Sequence, residues 1–432
     1  MKVMGKRLSL TAAMLAGLLC SAIAPAAMEQ HNHGGEENGA SPCGGVAELP
    51  QLRCAEAPGV TMDESGRLWI VWAYAGHLYV QHSQERGGSF SPAVTVNRLP
   101  EAISARGENR PKIAVHMVGK QRQVFVSWTT PLAKRFTGHI RFSRSLDGGE
   151  HFAEPLTVND NLDITGHRFD ALGVNAEGDI YLAWLDKRDR LKAEQGEGEY
   201  RGAALYMARS EDGGKSFLPN QKVLDHSCEC CRVAIGFTPQ QLPVVMWRHI
   251  YGDNIRDHAL VTFRDKATPG QPRRVSFDEW QIDACPHHGP ALAVSDSGVY
   301  HLTWFNNAPQ RHGLFYANTR DAGETLSTPM SFGNYEKGAA HPTVLALGQQ
   351  VYLLWKEFDG ALTTIRLLRS ADGGASWSGV ETVAQSSGES DYPFLLSDGV
   401  APFLSWHTRQ EGYRLIPLSP LNPLKDDAHV GH

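Results

Sequence analysis

A closed, seven-bladed β-propeller, an all-β fold, is what this sequence predicts, on three observations. A short apolar strand ending in Trp recurs seven times, a Gly-rich turn recurs between strands in a fixed register, and no stretch carries the 3.6-residue periodicity of an amphipathic helix. The Trp strands are LWIVW at Trp72, VFVSW at Trp128, IYLAW at Trp184, PVVMW at Trp247, YHLTW at Trp304, VYLLW at Trp355 and PFLSW at Trp406. They stand 51 to 63 residues apart, room for one four-stranded antiparallel blade and its turns. Composition agrees: 41% of the 432 residues are apolar and 20% charged, with 43 Gly and 24 Pro, which excludes a disordered chain and a collagen-like fibre. The formal charge of -6 has the wrong sign for a nucleic-acid binder.

Taken in order, residues 1–26 read as a secretory leader. Lys2, Lys6 and Arg7 precede the apolar run Leu8 to Ala24, and Ala24-Pro25-Ala26 offers a small-x-small cleavage site. Cys20 lies within that run behind Leu18-Leu19, a context for removal with the leader and not for lipidation. No later stretch has the ~20 continuous apolar residues of a membrane helix, so the expectation is an exported protein, periplasmic or secreted, monomeric and without a membrane span. Residues 27–44 form a flexible segment containing His31 and His33, the propeller covers 45–418, and 419–432 is a polar tail.

Within each repeat an apolar inner strand, such as PKIAVHM from Pro111 or PALAVSD from Pro290, precedes the Trp strand, and a third and a fourth strand follow. The last repeat stops after its third strand, YRLIPLS near Tyr413. Gly45 to Leu52 is the one spare strand-like piece, and it is expected to complete the seventh blade, which would remove an exposed sheet edge. The turn after the third strand reads S-x-D-G-G-x-x-[FW] at Ser145 to Phe152, Ser210 to Phe217 and Ser370 to Trp377, with weaker copies at Ser83 to Phe90 and Thr319 to Leu326. In it the Asp caps backbone amides and the glycines take positive φ.

That turn resembles the Asp-box, or BNR repeat, of the sialidase-like propellers, over essentially residues 45–418. The resemblance implies a propeller, with the six blades of the sialidases as the alternative count, and a box that is structural. It also implies an alternative function, an exo-sialidase-like glycoside hydrolase. Arg110, Arg168 and Arg232 would bind the substrate carboxylate, and Glu389, Asp391 and Tyr392 would supply the catalytic groups. The chain departs from that family in lacking an F-R-I-P motif and in placing the arginines in adjacent repeats, so release of sialic acid is not expected.

Sequence order also states which residues share one mouth of the channel, because the loop leading into an inner strand and the loop leaving a Trp strand lie on the same face. Arg53-Cys54, Asn109-Arg110, His167-Arg168, Cys228-Glu229-Cys230-Cys231-Arg232, Cys285-Pro286-His287-His288, His341 and Asp391-Tyr392 precede inner strands. Asp186, Arg248-His249, Lys356-Glu357 and His407 follow Trp strands. Thiolate with imidazole is the donor set of soft and borderline metals, so Cys228, Cys230, Cys231, Cys285, His287 and His288, with His341 and His167 as further donors, form a candidate metal site. Copper is the expected cofactor and zinc the alternative, in a role of metal handling that could involve a periplasmic partner protein. Two other readings stay open: six mature cysteines paired as structural disulfides, such as Cys43 with Cys54, on an interaction scaffold, or a redox-active dithiol.

Overall fold

A blade of a propeller lies between two neighbours, so its second strand is buried on both faces. That is why LWIVW and its six counterparts are mostly apolar, with only Ser127, His301, Thr303 and Ser405 interrupting them, and do not show the strict alternation of a half-exposed strand. The computed structural model describes residues 51–194, 196 and 200–419. It contains seven antiparallel sheets arranged as the blades of a β-propeller, six of four strands and a last of three, each running in chain order from the axis outward. The Trp strands are Leu68–Tyr74, Gln121–Pro131, Ile180–Asp186, Pro243–Arg248, Tyr300–Ala308, Gln350–Phe358 and Pro402–Thr408. All seven Trp side chains are buried.

The inner strands are Gly59–Met62, Lys112–Val118, His167–Val174, Ala234–Phe237, Ala291–Val294, Ala340–Leu347 and Phe394–Ser397. Each adjoins the next, and the last adjoins the first, which closes the ring. The hydrophobic core is accordingly divided into slices between blades. Trp69 and Val71 pack with Val124 and Trp128 between blades one and two, and Tyr352 and Leu354 pack with Leu404 and Trp406 between blades six and seven. Ile70 and Trp72 of blade one pack with Tyr413 of blade seven across the junction of the ring.

The recurrent turn has the expected wiring. Ser145 Oγ donates to Asp147 (2.7 Å) and accepts from the Gly149 amide (2.9 Å), while Asp147 also accepts from the His151 amide (3.0 Å). The same bonds recur from Ser210 and Asp212, from Thr319 and Asp321, and from Ser370 and Asp372. Gly148 and Gly149 take φ of 81° and 88°. In the copy at Ser83, with Glu85 in place of Asp, Ser83 Oγ accepts from the Gly87 amide (2.9 Å) and Glu85 accepts from the Ser89 hydroxyl (2.7 Å), while the bonds from the serine to the carboxylate and from the following amide are absent.

Two expectations need correction or delimitation. A helix does exist, Arg188–Glu194, inserted after the Trp strand of blade three. Its sequence RDRLKAE buries no residue, so it has no apolar stripe to detect, and it accounts for part of the longest Trp spacing. The proposed closing strand, 45 to 52, lies outside the described residues except for Gln51 and Leu52; Leu52–Cys54 is a 3-10 turn beside Gly412–Pro417 of the seventh blade. The leader, the His-containing segment and the tail beyond 419 also lie outside the described residues. No helix among the described residues is long and apolar enough to cross a membrane.

Candidate functional site at the channel mouth

The chain bends sharply where it turns into the channel. Phe169 and His341, near the starts of their inner strands, and His287, in the loop before one, hold φ of 59°, 52° and 52°, positions at which a residue other than glycine is strained. Such strain persists only where surrounding contacts over-determine the backbone. The Phe169 amide donates to Asn109 Oδ1 (3.0 Å), and two polar clasps tie the mouth loops together. Arg110 binds Asp391 through both carboxylate oxygens (2.5 and 2.6 Å), joining the mouth loops of blades two and seven. Glu108 accepts from the Arg232 amide (2.9 Å), from Arg232 Nη1 (3.2 Å) and from the Gly289 amide (2.9 Å), while Arg232 also donates to the Pro290 and Pro342 carbonyls (3.0 and 2.9 Å). Blades two, four, five and six therefore meet around one buried carboxylate. Gly289 must be glycine, since a Cβ there would stand 2.2 Å from Arg232 Cγ.

An aromatic stack borders the clasps. The His341 ring lies on Tyr392 (centroids 3.4 Å apart, 16°), His288 lies on His341 (4.6 Å, 25°), and Phe305 covers the far side of His288 (4.1 Å). Lys356 Nζ sits 5.0 Å from the Tyr392 centroid, and no carboxylate lies within ion-pair distance of it among the described residues. Burial pushes the pKa values of His288 and His341 well below the ordinary imidazole range, so both are neutral, and it lowers that of Lys356. Burial, reinforced by the Glu108 charge, raises that of Tyr392. His288 Nδ1, His341 Nδ1, His407 Nε2 and Asn109 Nδ2 are buried polar atoms without a hydrogen-bond partner, an unusual concentration for one region. The channel alongside holds a cavity of about 510 Å³ lined by Glu108, Lys112, Asp170, Arg232, Tyr392 and Phe394.

A second centre is built from sulfur. Cys228, Cys230, Cys231 and Cys285 are free thiols, the first three buried and Cys285 exposed, whereas Cys54 is disulfide-bonded. Cys228 Sγ stands 3.8 Å from Sγ of both Cys230 and Cys231, and the three sulfurs lie within 4.8 Å of one another. The Cys285 thiol interacts with that of Cys230, each shifting the other's pKa. Arg256 Nη1 donates to Cys228 Sγ (3.2 Å). Hydrogen bonds from Cys230 and Cys231, with the charges of Arg256 and Arg248, lower the Cys228 pKa well below the ordinary thiol value, while burial raises those of Cys230 and Cys231. Six of the seven core Trp indoles donate to a protein acceptor; the seventh, Trp247, finds none and packs in the same slice as the three thiols.

The structure thus separates the residues singled out in the sequence into two groups. The four cysteines come together, while His288 and His341 belong to the stack on Tyr392. His167 is in neither group: its Nδ1–H donates to the Gly138 carbonyl (2.9 Å) and its Nε2 lies 3.6 Å from Asp186. His287 is the strained residue between Pro286 and His288. Of the sialidase-like set, Arg110, Arg232, Asp391 and Tyr392 meet at the mouth. Arg168 packs against Phe136 and Phe169, and Glu389 is an exposed partner of Arg409 (3.1 Å). Sequence reasoning missed Glu108, whose only signal is its place two residues before Arg110, and Arg256, which no motif marks.

No family model matches the chain, and no curated protein matches it. Among solved structures it is similar to an ulvan lyase of polysaccharide lyase family PL25 bound to -[GlcA(1-4)Rha3S]-, at 11% identity and a TM-score of 0.56, over 84% of this chain and 94% of that one. The polysaccharide lyase Uly1 matches at 11% identity and a TM-score of 0.50, over 84% of this chain and 88% of that one. A Hadza microbial sialidase matches at 16% identity and a TM-score of 0.46, over 82% of this chain and 73% of that one. At these identities the likeness to the lyases is one of fold, and it supports the propeller.

Proposed function

We propose that the protein is a glycan-active propeller that takes a carboxylate-bearing sugar at the mouth around Tyr392, His341 and Lys356. The observation that carries the reading is Lys356, a half-buried cation over the Tyr392 ring with no carboxylate in ion-pair contact among the described residues, beside the neutral His341, whose Nδ1 lies 3.5 Å from Glu108. A buried charge without a counter-ion is costly, and a sugar carboxylate would supply one. Arg110 and Arg232 are already neutralised by Asp391 and Glu108, so they shape the mouth and set its field, and Lys356 receives the anion. Tyr392 and His341 are then the groups positioned to move protons at the bond being cleaved. Fold-level analogy with the polysaccharide lyases adds weight, as analogy. The leader read at residues 1–26 would deliver such a protein to the periplasm or the exterior, where polysaccharide is met.

The test is turnover of glucuronate-containing polysaccharides and of sialosides, with products read both as new reducing ends and as unsaturated uronate. Cleavage of an acidic glycan is expected, and Tyr392→Phe and Lys356→Met should each lower it by about a hundredfold. Neither cleavage nor binding of any acidic glycan, or activity indifferent to both substitutions, would overturn the proposal. A second reading, handling of a soft metal ion such as copper or zinc, is favoured by the four unbridged thiols. It makes no use of Tyr392 or Lys356 and is compatible with the first.

A further inference from the structure

We propose that Cys228, Cys230 and Cys231 form a three-thiolate site for a soft monovalent cation, Cu(I), and that Cys285 is the exchangeable thiol through which the ion enters and leaves. The inference rests on the metal-handling reading and gives it a ligand set, an ion and a route. Metal–sulfur bonds of about 2.3 Å place the sulfurs of one coordination shell roughly 3.8 to 4.0 Å apart, for tetrahedral or trigonal geometry. Two of the three sulfur separations are 3.8 Å, and the third is no more than 4.8 Å. The donors are therefore near coordinating distance before any ion is bound, and the chain pays little to gather them.

The number of donors favours Cu(I) over zinc. Structural zinc sites are closed by four ligands, and no fourth thiol, imidazole or carboxylate joins this group among the described residues. Cys285 lies outside the group and interacts with Cys230, and His288 is held in the stack with His341 and Phe305. Thiolates select Cu(I), which is stable with three sulfur ligands. Three thiolates around a monovalent cation leave a net charge of −2 in a buried place. Arg256 already donates to Cys228, and Arg248 contributes a second positive charge to the same thiols. Each ligating thiol gives its proton to solvent, and no electron is transferred because the ion arrives as Cu(I).

The route follows from exposure. Cys228, Cys230 and Cys231 are buried in the slice between blades three and four, whereas Cys285 stands on an exposed loop. That loop borders a cleft of about 740 Å³ also lined by Arg190, Glu229, Arg256 and Asp283. An ion handed to Cys285 can pass to Cys230 by ligand exchange, without unfolding of the core.

The experiment is an anaerobic titration of the reduced full chain with Cu(I) against a chromophoric Cu(I) chelator, with sulfur coordination read by X-ray absorption. Wild type is expected to bind one Cu(I) with three sulfurs at about 2.3 Å. The C230S/C231S double variant should lose at least about a hundredfold in affinity. Cys285→Ser should keep the stoichiometry but slow transfer to the chelator. If the double variant binds as tightly as wild type, or absorption shows nitrogen in the shell, this site is wrong although metal handling can stand on other donors. If wild type retains no Cu(I) against the chelator, or its thiols are bridged on isolation, both the site and the metal-handling reading fall. The absorption measurement needs no variant, so a misfolded double variant leaves the proposal open to refutation.

Discussion

At the scale of single residues, the mouth depends on contacts that leave no room for change. Gly289 follows the CPHH run, and its amide donates to Glu108 at 2.9 Å while Arg232 crosses above it. A methyl group added at Gly289 would meet Arg232 Cγ at 2.2 Å and the Arg232 carbonyl at 2.6 Å, both parts of the chain held by the clasp. Gly289→Ala is therefore expected to destabilise the fold by roughly 1–3 kcal/mol, the range for overpacking, measured as a lower urea midpoint with an unchanged slope. An unchanged midpoint would mean that the clasp yields. This scale was the least legible in the sequence. The order of the loops placed Cys230 and Cys285 at one mouth, and their thiols do interact. It could not tell that His288 turns instead to His341 and Phe305, because that choice is made by packing between blades five and six.

At the scale of elements, the recurrent turn explains both a sequence pattern and an acid sensitivity. Hydrogen bonds from the Ser376 and Thr325 hydroxyls and amides hold the Asp372 and Asp321 carboxyls at about 2, below the ordinary 3.8. A carboxylate whose pKa is depressed by folding contributes stability that is complete above the unfolded value and is lost as the pH falls through the folded one. Thermal midpoints should thus be flat near neutral pH and drop between about pH 4 and pH 2. Ser370→Ala removes a buried hydroxyl that serves Asp372 and the Gly374 amide together, and should cost about 1 kcal/mol in urea denaturation. The turns were legible because they need a fixed residue at each step. The helix Arg188–Glu194 was not, since a short charged helix on a surface carries no apolar period.

At the scale of the whole molecule, a propeller has to close, and the sequence announced closure through apolar strands while the structure adds a polar part. Seven Trp strands made the blade number readable, because each fills one slice between neighbouring blades. The ties across the channel were only half legible: loop order set Arg110 and Asp391 at one mouth, but nothing in the sequence pairs two residues 281 apart with each other. Their pair is nearly dry, with side chains 5% and 6% exposed, and it links the mouth loops of blades two and seven across blade one. Removing one partner of such a pair leaves a buried charge uncompensated, which costs far more than the pair itself contributes. Arg86 and Asp398 also connect the first and seventh blades, but Arg86 is 56% exposed, and exposed pairs contribute at most about 1 kcal/mol. Asp391→Asn should therefore lower the unfolding free energy by roughly 3–5 kcal/mol and Arg86→Ala by less than about 1 kcal/mol, both read from urea unfolding of the otherwise unchanged chain. Equal effects from the two substitutions would show that the ring is held by its apolar slices alone, and that the charges at the axis are free to serve a ligand.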